Sequence, residues 1–116
     1  MTENASQVNT ILQDIRDLDL GPDASRICRV AHYLACGGVL TGDSAFELFR
    51  ETHLHSTISS LRDEGLHIEN GRTDPKEPAH QYWIKPTPES LKAAYRYLRR
   101  KIRADRQLSL LGGIAT

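Results

Sequence analysis

The stretch TGDSAFELFRETHLHSTISSLRDEGLHIENGRTDPKEPAHQYWI, residues 41–84, decides the fold of this chain. It opens with TGDS, which is typical of a helix N-terminus and predicts a helix of about two turns. The apolar residues of this helix are expected to face inward: Ala45, Phe46, Leu48 and Phe49. A second helix follows, because Leu54, Ile58 and Leu61 recur at helical spacing before Gly65, a common helix stop.

The residues after this glycine change to a strand pattern. LHIEN (66–70) and HQYWI (80–84) alternate or run apolar as strands do, and turn formers and charges fill the residues between them. We therefore predict a β-hairpin with a long tip. Trp83 and Ile84 are expected to face the core.

Helical periodicity continues on both sides of this segment. Residues 6–18 predict an amphipathic helix, and residues 25–36 predict another, capped by Asp23 or Ser25. A long helix is expected from about 88 to 106, and the remaining residues are expected to form a tail. The chain is thus predicted to have four parts: a helix and linker (1–22), a central domain (23–85), a basic amphipathic helix (86–106) and a tail (107–116).

The order of elements over residues 25–84, three helices and then a hairpin, is the layout of a winged helix-turn-helix domain. Residues 41–84 also resemble a small helix-turn-helix family common in bacteriophage and mobile-element genomes. The first-helix positions of the family correspond here to Ala45, Leu48 and Phe49. Its I-x-x-L-R-x-x-G segment corresponds to Ile58, Leu61, Arg62 and Gly65, and its strand positions correspond to Ile68, Tyr82 and Ile84. The expected class is mainly α with a β-hairpin (α+β), and the resemblance implies a regulatory or replication-associated protein that binds DNA.

In such a domain the helix over 54–64 enters the major groove of DNA with its N-terminal end and outer face. The residues predicted to meet base edges there are His55, Ser56, Ser59 and Ser60. Arg62 is placed nearer a phosphate, and Arg72 and Lys76 of the hairpin tip are expected at the adjacent minor groove or backbone. The alternative interpretation is an ordinary solvated helix face and loop.

Charge is unevenly distributed along a chain whose net charge is zero. Residues 1–24 carry five acidic groups and one arginine, whereas residues 85–116 carry eight basic groups and two acidic ones. Cations of the last helix are therefore predicted to contact DNA phosphates: Arg96, Arg99, Arg100 and Arg103. The alternative is a solvated helix that pairs with the acidic N-terminal segment. The narrow apolar stripe of that segment also suggests a homodimer.

The pentapeptide QLSLL in the tail resembles the QL(S/D)LF motif with which bacterial proteins dock on the replicative sliding clamp. Its positions here are Gln107, Leu108, Ser109, Leu110 and Leu111, with leucine where an aromatic residue is usual. The resemblance implies a second mode of action, in which the chain engages a host protein as an inhibitor or adaptor. The alternative is that Leu108 and Leu111 continue the apolar stripe of the last helix, six and nine residues beyond Ile102.

Enzymatic function is not expected. The five histidines form no metal-binding phrase, and no phosphate-binding glycine loop, nucleophile elbow or acid-base pair is evident, so no catalytic residue, metal or cofactor is predicted. Cys28 and Cys36 lie too far apart along one helix for a disulfide and are expected to be small packed side chains. The absence of an apolar run of membrane-spanning length and of a signal peptide predicts a cytoplasmic location.

Overall fold

The computed structural model of the chain describes residues 2–72 and 80–112. Within these ranges the chain is mainly helical with a two-stranded antiparallel sheet. The elements in chain order are α1 (Thr2–Arg16), α2 (Arg26–Ala35), α3 (Gly42–Phe49), α4 (Leu54–Asp63), β1 (Ile68–Gly71), β2 (Gln81–Ile84) and α5 (Pro88–Gly112). The predicted order of helices and strands is confirmed. No helix of the described ranges is long and apolar enough to cross a membrane.

Local hydrogen bonds explain where the central helices begin and end. Ser25 caps α2 by accepting from the amide of Cys28, which selects one of the two caps that the sequence offered. Thr41 and Ser44 form a reciprocal capping box at the start of α3. Gly65 follows α4 with a φ of +101°, a backbone conformation that glycine adopts without strain, so the predicted stop is confirmed.

The hairpin pairs Ile68 with Ile84 and Gly71 with Gln81. A single additional bridge joins Leu40, between α2 and α3, to Tyr82, with backbone N···O distances of 3.0 and 2.8 Å. This bridge was not predicted. It ties the connection before α3 to the edge of the hairpin, so the sheet holds three segments of chain at this point.

Alternation along β2 corrects one prediction about the core. Ile84 is buried, but its neighbour Trp83 is only half-buried, because successive side chains of a strand point to opposite faces. Trp83 instead covers Gly71, where its ring lies 3.5 Å from the position that a Cβ atom would occupy. Of the two residues predicted to face the core, Ile84 does so and Trp83 does not.

The inner face of α5 packs against α1 and α2. Its predicted stripe is confirmed for four buried residues, with Tyr95 half-buried and Tyr97 buried in addition: Leu91, Ala94, Leu98 and Ile102. Val8, Ile11 and Leu12 of α1 also pack against this core. The stripe that suggested a homodimer is therefore engaged within the chain.

Two predictions are wrong in α3 and α5. Phe46 and Leu48 are 45% and 53% exposed instead of facing inward, and Ala45 is the residue of α3 that is buried. The long helix does not stop at residue 106, because α5 continues to Gly112 and contains the first six residues of the predicted tail. Leucine and glutamine favour helices, and residues 107–111 contain neither glycine nor proline to end one.

Candidate nucleic-acid interface

A row of cations occupies the outer face of α5. Their spacing of three or four residues places them on one side of the helix, next to the buried stripe. All five are exposed: Lys92, Arg96, Arg99, Arg103 and Arg106. We call them the cationic stripe. At 1.5 Å per residue it extends about 21 Å along the helix.

The charges of this stripe are not neutralised by neighbouring carboxylates. In residues 2–72 and 80–112 the ion pairs are Arg100 with Glu64 and Lys101 with Asp105, and neither includes a member of the stripe. Arg99 lies over the ring of Tyr95, 5.8 Å from its centre. The prediction that this helix pairs with the acidic N-terminal segment is not supported by any ion pair among these residues.

Three arginines of the stripe line a cleft between α5 and the segment that follows α1. The cleft has a volume of about 260 Å³ and is lined by Leu18, Asp19, Arg99, Ile102, Arg103 and Arg106. Arg106 donates a hydrogen bond of 3.4 Å to the backbone carbonyl of Asp19. Because that contact uses a carbonyl oxygen, the positive charge of Arg106 remains available to an anion.

A buried carboxylate fixes α5 to the start of α2. Asp105 accepts hydrogen bonds from the backbone amide and the hydroxyl of Ser25, at 3.0 and 2.8 Å, and pairs with Lys101 at 3.1 Å. Burial alone would raise the pKa of Asp105, but these hydrogen bonds and the Lys101 charge outweigh it and lower the pKa below its usual value. The charged carboxylate therefore anchors the helix that carries the cationic stripe.

The predicted base-reading residues are on the surface. His55, Ser56, Ser59 and Ser60 are exposed, while Leu54, Ile58 and Leu61 bury the other side of α4, as predicted. His55 Nδ1 lies 3.4 Å from the hydroxyl of Tyr82 in β2. Glu51, which the sequence did not single out, is buried and accepts from the amide of His53 and the hydroxyl of Thr57, holding the start of α4.

A second cleft opens beside the N-terminal end of α4. Its volume is about 410 Å³, and it lies between that end, the start of α3 and the hairpin: the lining residues are Gly42, Thr52, His53, Leu54, His55, Ser56, His80 and Tyr82. Its hydroxyl and imidazole groups can both donate and accept hydrogen bonds. This end of α4 is therefore the part best equipped to meet polar groups of a ligand.

The remaining predicted contacts have different environments. Arg62 donates to the carbonyl of Ile68 at 2.8 and 3.1 Å and to Asn70 at 3.1 Å, so its guanidinium braces α4 against β1. Arg72 is exposed at the end of β1. Lys76 lies outside the described residues.

The exposed faces of α4 and α5 adjoin each other. Arg100 pairs with Glu64 at 2.9 Å, and both groups line a cleft that also contains Ser60 and Tyr97. Of the predicted contacts, the structure therefore brings Ser60 together with Arg100. Because Glu64 engages Arg100, this arginine differs from the unpaired members of the cationic stripe.

Around α3 and α4 the charge is acidic. Residues 41–64 contain two arginines and five carboxylates: Asp43, Glu47, Glu51, Asp63 and Glu64. The cationic surface of α5 thus ends at Arg100 and does not extend across the outer face of α4.

The His67–Ser90 contact and the Cys28 thiol involve residue types that are common in active sites, but their surroundings are those of packing and capping residues. His67 Nδ1 lies 2.8 Å from the hydroxyl of Ser90, but Ser90 is only 1% exposed and joins the capping hydrogen bonds at the start of α5. Burial raises the pKa of the Cys28 thiol to about 11, which keeps it protonated and unreactive at neutral pH. Both cysteines are free, and the described residues contain no group of three or more His, Cys, Asp or Glu placed to hold a metal ion.

The pentapeptide forms part of α5 and is not an extended tail. Leu108 and Leu110 are 61% and 84% exposed, and Gln107 is exposed as well. The side chains of Ser109 and Leu111 lie outside the described part of the structure. Leu108 does not extend the buried stripe of the helix, so that alternative is not supported for this side chain.

Comparison of the chain with protein-family models, curated proteins and solved structures gives no match. What the chain does must therefore be argued from its own surface. That surface offers one cationic helix face with unpaired charges, adjoining one polar helix face that the hairpin flanks.

Proposed function

We propose that the chain is a winged helix-turn-helix protein that binds duplex DNA, of the regulatory or replication-associated type found in phages and mobile elements. The order α2, α3, α4 and hairpin supports this assignment, since three helices followed by a hairpin are the layout of such a domain. The Leu40–Tyr82 bridge joins the connection before α3 to the hairpin. Location in the cytoplasm follows from the same proposal.

The observation that carries the proposal is the cationic stripe of α5. Five exposed cations that form no ion pair with the described carboxylates, along about 21 Å of helix, match the repeated negative charges of a DNA strand. Counter-ions released from DNA on contact would supply most of the binding free energy. Phosphate contacts therefore come mainly from α5.

Sequence discrimination in this proposal comes from α4. His55, Ser56 and Ser59 are exposed near its N-terminal end and carry side chains that hydrogen-bond to base edges. Arg100 and Ser60 mark the junction of the two helices, so a duplex held by α5 meets α4 next. Arg72 contributes a contact from the hairpin.

Fluorescence anisotropy with a labelled duplex across a salt series tests the proposal. Each phosphate contact contributes about −0.9 to the slope of log K against log salt, so the variant Arg96→Ala/Arg103→Ala should lower the magnitude of the slope by about 2. The matched control is Arg16→Ala/Arg26→Ala, which removes two exposed arginines that lie outside the stripe. Absence of binding at low salt, or equal losses in both variants, would contradict the proposal.

Docking on the bacterial sliding clamp is a second candidate, favoured by the exposure of Leu108 and Leu110. Binding in an extended form would require the last turns of α5 to unwind, because the pentapeptide is helical. A pull-down with purified clamp tests this candidate against the variant Gln107→Ala/Leu108→Ala. Retention of the variant at the wild-type level would remove the pentapeptide as the docking element.

A further inference from the structure

The exposed large hydrophobic side chains divide into two patches of opposite charge. In the described ranges there are five: Val39, Phe46, Leu48, Leu108 and Leu110. The first three lie at or just before α3, and we call them with Asp43 and Glu47 the acidic patch. The last two lie at the end of α5 beside Arg103 and Arg106, and we call these four residues the basic end.

The acidic patch has an unusual composition for a surface helix. Ala45 defines the buried side of α3, and one turn apart on the opposite side stand Asp43 and Glu47. Phe46 and Leu48 flank this acidic ridge and leave about half of their surface in water. A partner that covers both the carboxylates and the apolar side chains must therefore be cationic and apolar at once.

The basic end has the complementary composition. Leu110 follows Arg103 and Arg106 by seven and four residues, which places it on the same face of α5 and continues the line of the cationic stripe. It is 84% exposed, the highest value among these hydrophobic side chains. Leu108, two residues before it, is 61% exposed on the other side of the helix. One face of this end thus presents Arg103, Arg106 and Leu110 together.

The two patches cannot meet within one chain. The basic end lies beyond the Ser25–Asp105 contact at the N-terminus of α2. The acidic patch is fixed near the other end of α2, where Phe49 packs edge-on against Tyr33 with ring centres 5.6 Å apart. Eight residues, about 12 Å along the helix, separate Ser25 from Tyr33.

We infer that two copies of this chain associate head to tail, with the acidic patch of one copy receiving the basic end of the next. Charge complementarity and the pairing of exposed apolar groups both favour a second copy as the occupant. Since each copy keeps one patch unused, the association is open-ended and extends to longer chains. The inference does not depend on DNA binding.

Sedimentation velocity at low salt tests the inference with two variants of the full chain. Phe46→Ser/Leu48→Ser removes the acidic patch, and Leu108→Ser/Leu110→Ser removes the basic end. Wild type should grow in mass with concentration, each variant alone should remain a monomer, and the two variants mixed should form a one-to-one dimer that grows no further. Circular dichroism verifies that both variants retain wild-type helix content.

Charge reversal supplies an independent measurement that leaves the apolar groups in place. Glu47→Lys and Arg106→Glu should each abolish association, and the double variant should restore it. Wild type that stays monomeric at every concentration would overturn the inference, as would variants that still self-associate separately. A monomeric wild type whose basic end binds purified sliding clamp would assign that end to a different partner and would also overturn it.

Discussion

Helices α4 and α5 meet at the Arg100–Glu64 ion pair but differ in what their charges do. On α5 five exposed cations form no ion pair with any carboxylate of residues 2–72 and 80–112, whereas on α4 the single arginine is hydrogen-bonded to β1 and two carboxylates stand at the C-terminal end. In the proposed function this contrast is a division of tasks, in which α5 attracts a polyanion and α4 meets it with neutral hydrogen-bonding groups. A helix-turn-helix with a weakly charged recognition helix can bind DNA if a neighbouring helix supplies the phosphate contacts.

The largest expected effect removes the anchor that holds α5 in place. Asp105→Ala leaves the amide and hydroxyl of Ser25 and the ammonium of Lys101 without their buried partner, so we expect a loss of about 3 kcal/mol in the free energy of unfolding. Urea denaturation measures this loss. Glu64→Ala, which breaks the exposed pair with Arg100, is the matched control and should cost less than about 1 kcal/mol.

The same anchor predicts how stability depends on pH. A carboxyl group whose pKa is lower in the folded state than its unfolded value of about 3.9 stabilises the fold above that pH, and this contribution is lost as the pH falls through the folded pKa. Wild type should therefore lose more stability than Asp105→Asn between about pH 5 and the folded pKa. Equal acid profiles for the two proteins would show that folding does not lower the pKa of Asp105.

The sequence predicts the exposed faces of α4 and α5 but not the buried contact that holds α5 in place. The stripe of α4 and the cations of α5 follow from helical spacing, and both are confirmed on the expected faces. Asp105 could not be identified, because its partner Ser25 is 80 residues away and no local pattern connects them. A lone carboxylate within a cationic helix looks like a solvated residue until tertiary packing places it against the cap of α2.

Short elements account for the other errors. Helical spacing in the eight residues of α3 made four apolar residues look inward, but only tertiary contacts decide which side is covered, and Phe46 and Leu48 remain exposed. The bridge at Leu40 involves one residue, which is too short to show a strand period. The predicted end of α5 at residue 106 is six residues early, because leucine and glutamine favour helices and residues 107–111 contain no glycine or proline.

Removing the polar groups of α4 should weaken the discrimination between DNA sequences without changing the electrostatic attraction of the protein to DNA. His55→Ala/Ser56→Ala/Ser59→Ala is expected to lower the preference for a selected DNA site over random duplex by about tenfold, while the salt slope stays the same. Competition binding with a site selected from random sequences measures the ratio. The triple variant Ser6→Ala/Gln7→Ala/Asn9→Ala, on the exposed side of α1, should leave it unchanged.

Arg62 should behave as a structural group and not as a phosphate contact. Arg62→Ala removes hydrogen bonds to Ile68 and Asn70, and we expect a loss of about 1 kcal/mol in the free energy of unfolding. The salt slope of DNA binding should change by much less than it does for a member of the cationic stripe. A full decrease of about 1 in that slope would return Arg62 to the DNA interface.

The smallest effect concerns the junction of the two helices. Glu64→Gln releases Arg100 from its ion pair and should raise the affinity for duplex DNA about twofold at low salt, since exposed pairs contribute at most about 1 kcal/mol. Asp14→Asn makes the same change of charge at an exposed position of α1 and serves as the control. A gain of equal size in both variants would mean that net charge alone, and not the release of Arg100, raises the affinity.

Backbone amide shifts of the labelled Leu108→Ser/Leu110→Ser variant, which keeps the cationic stripe and is expected to remain a monomer, test the central claim most directly when recorded during titration with duplex DNA. The account predicts that the resonances affected lie along α5 from Lys92 to Arg106 and at the N-terminal end of α4, while those of α3 from Asp43 to Leu48 do not move. Perturbations centred on α3, or none at all at low salt, would contradict the assignment of DNA binding to α5 and α4.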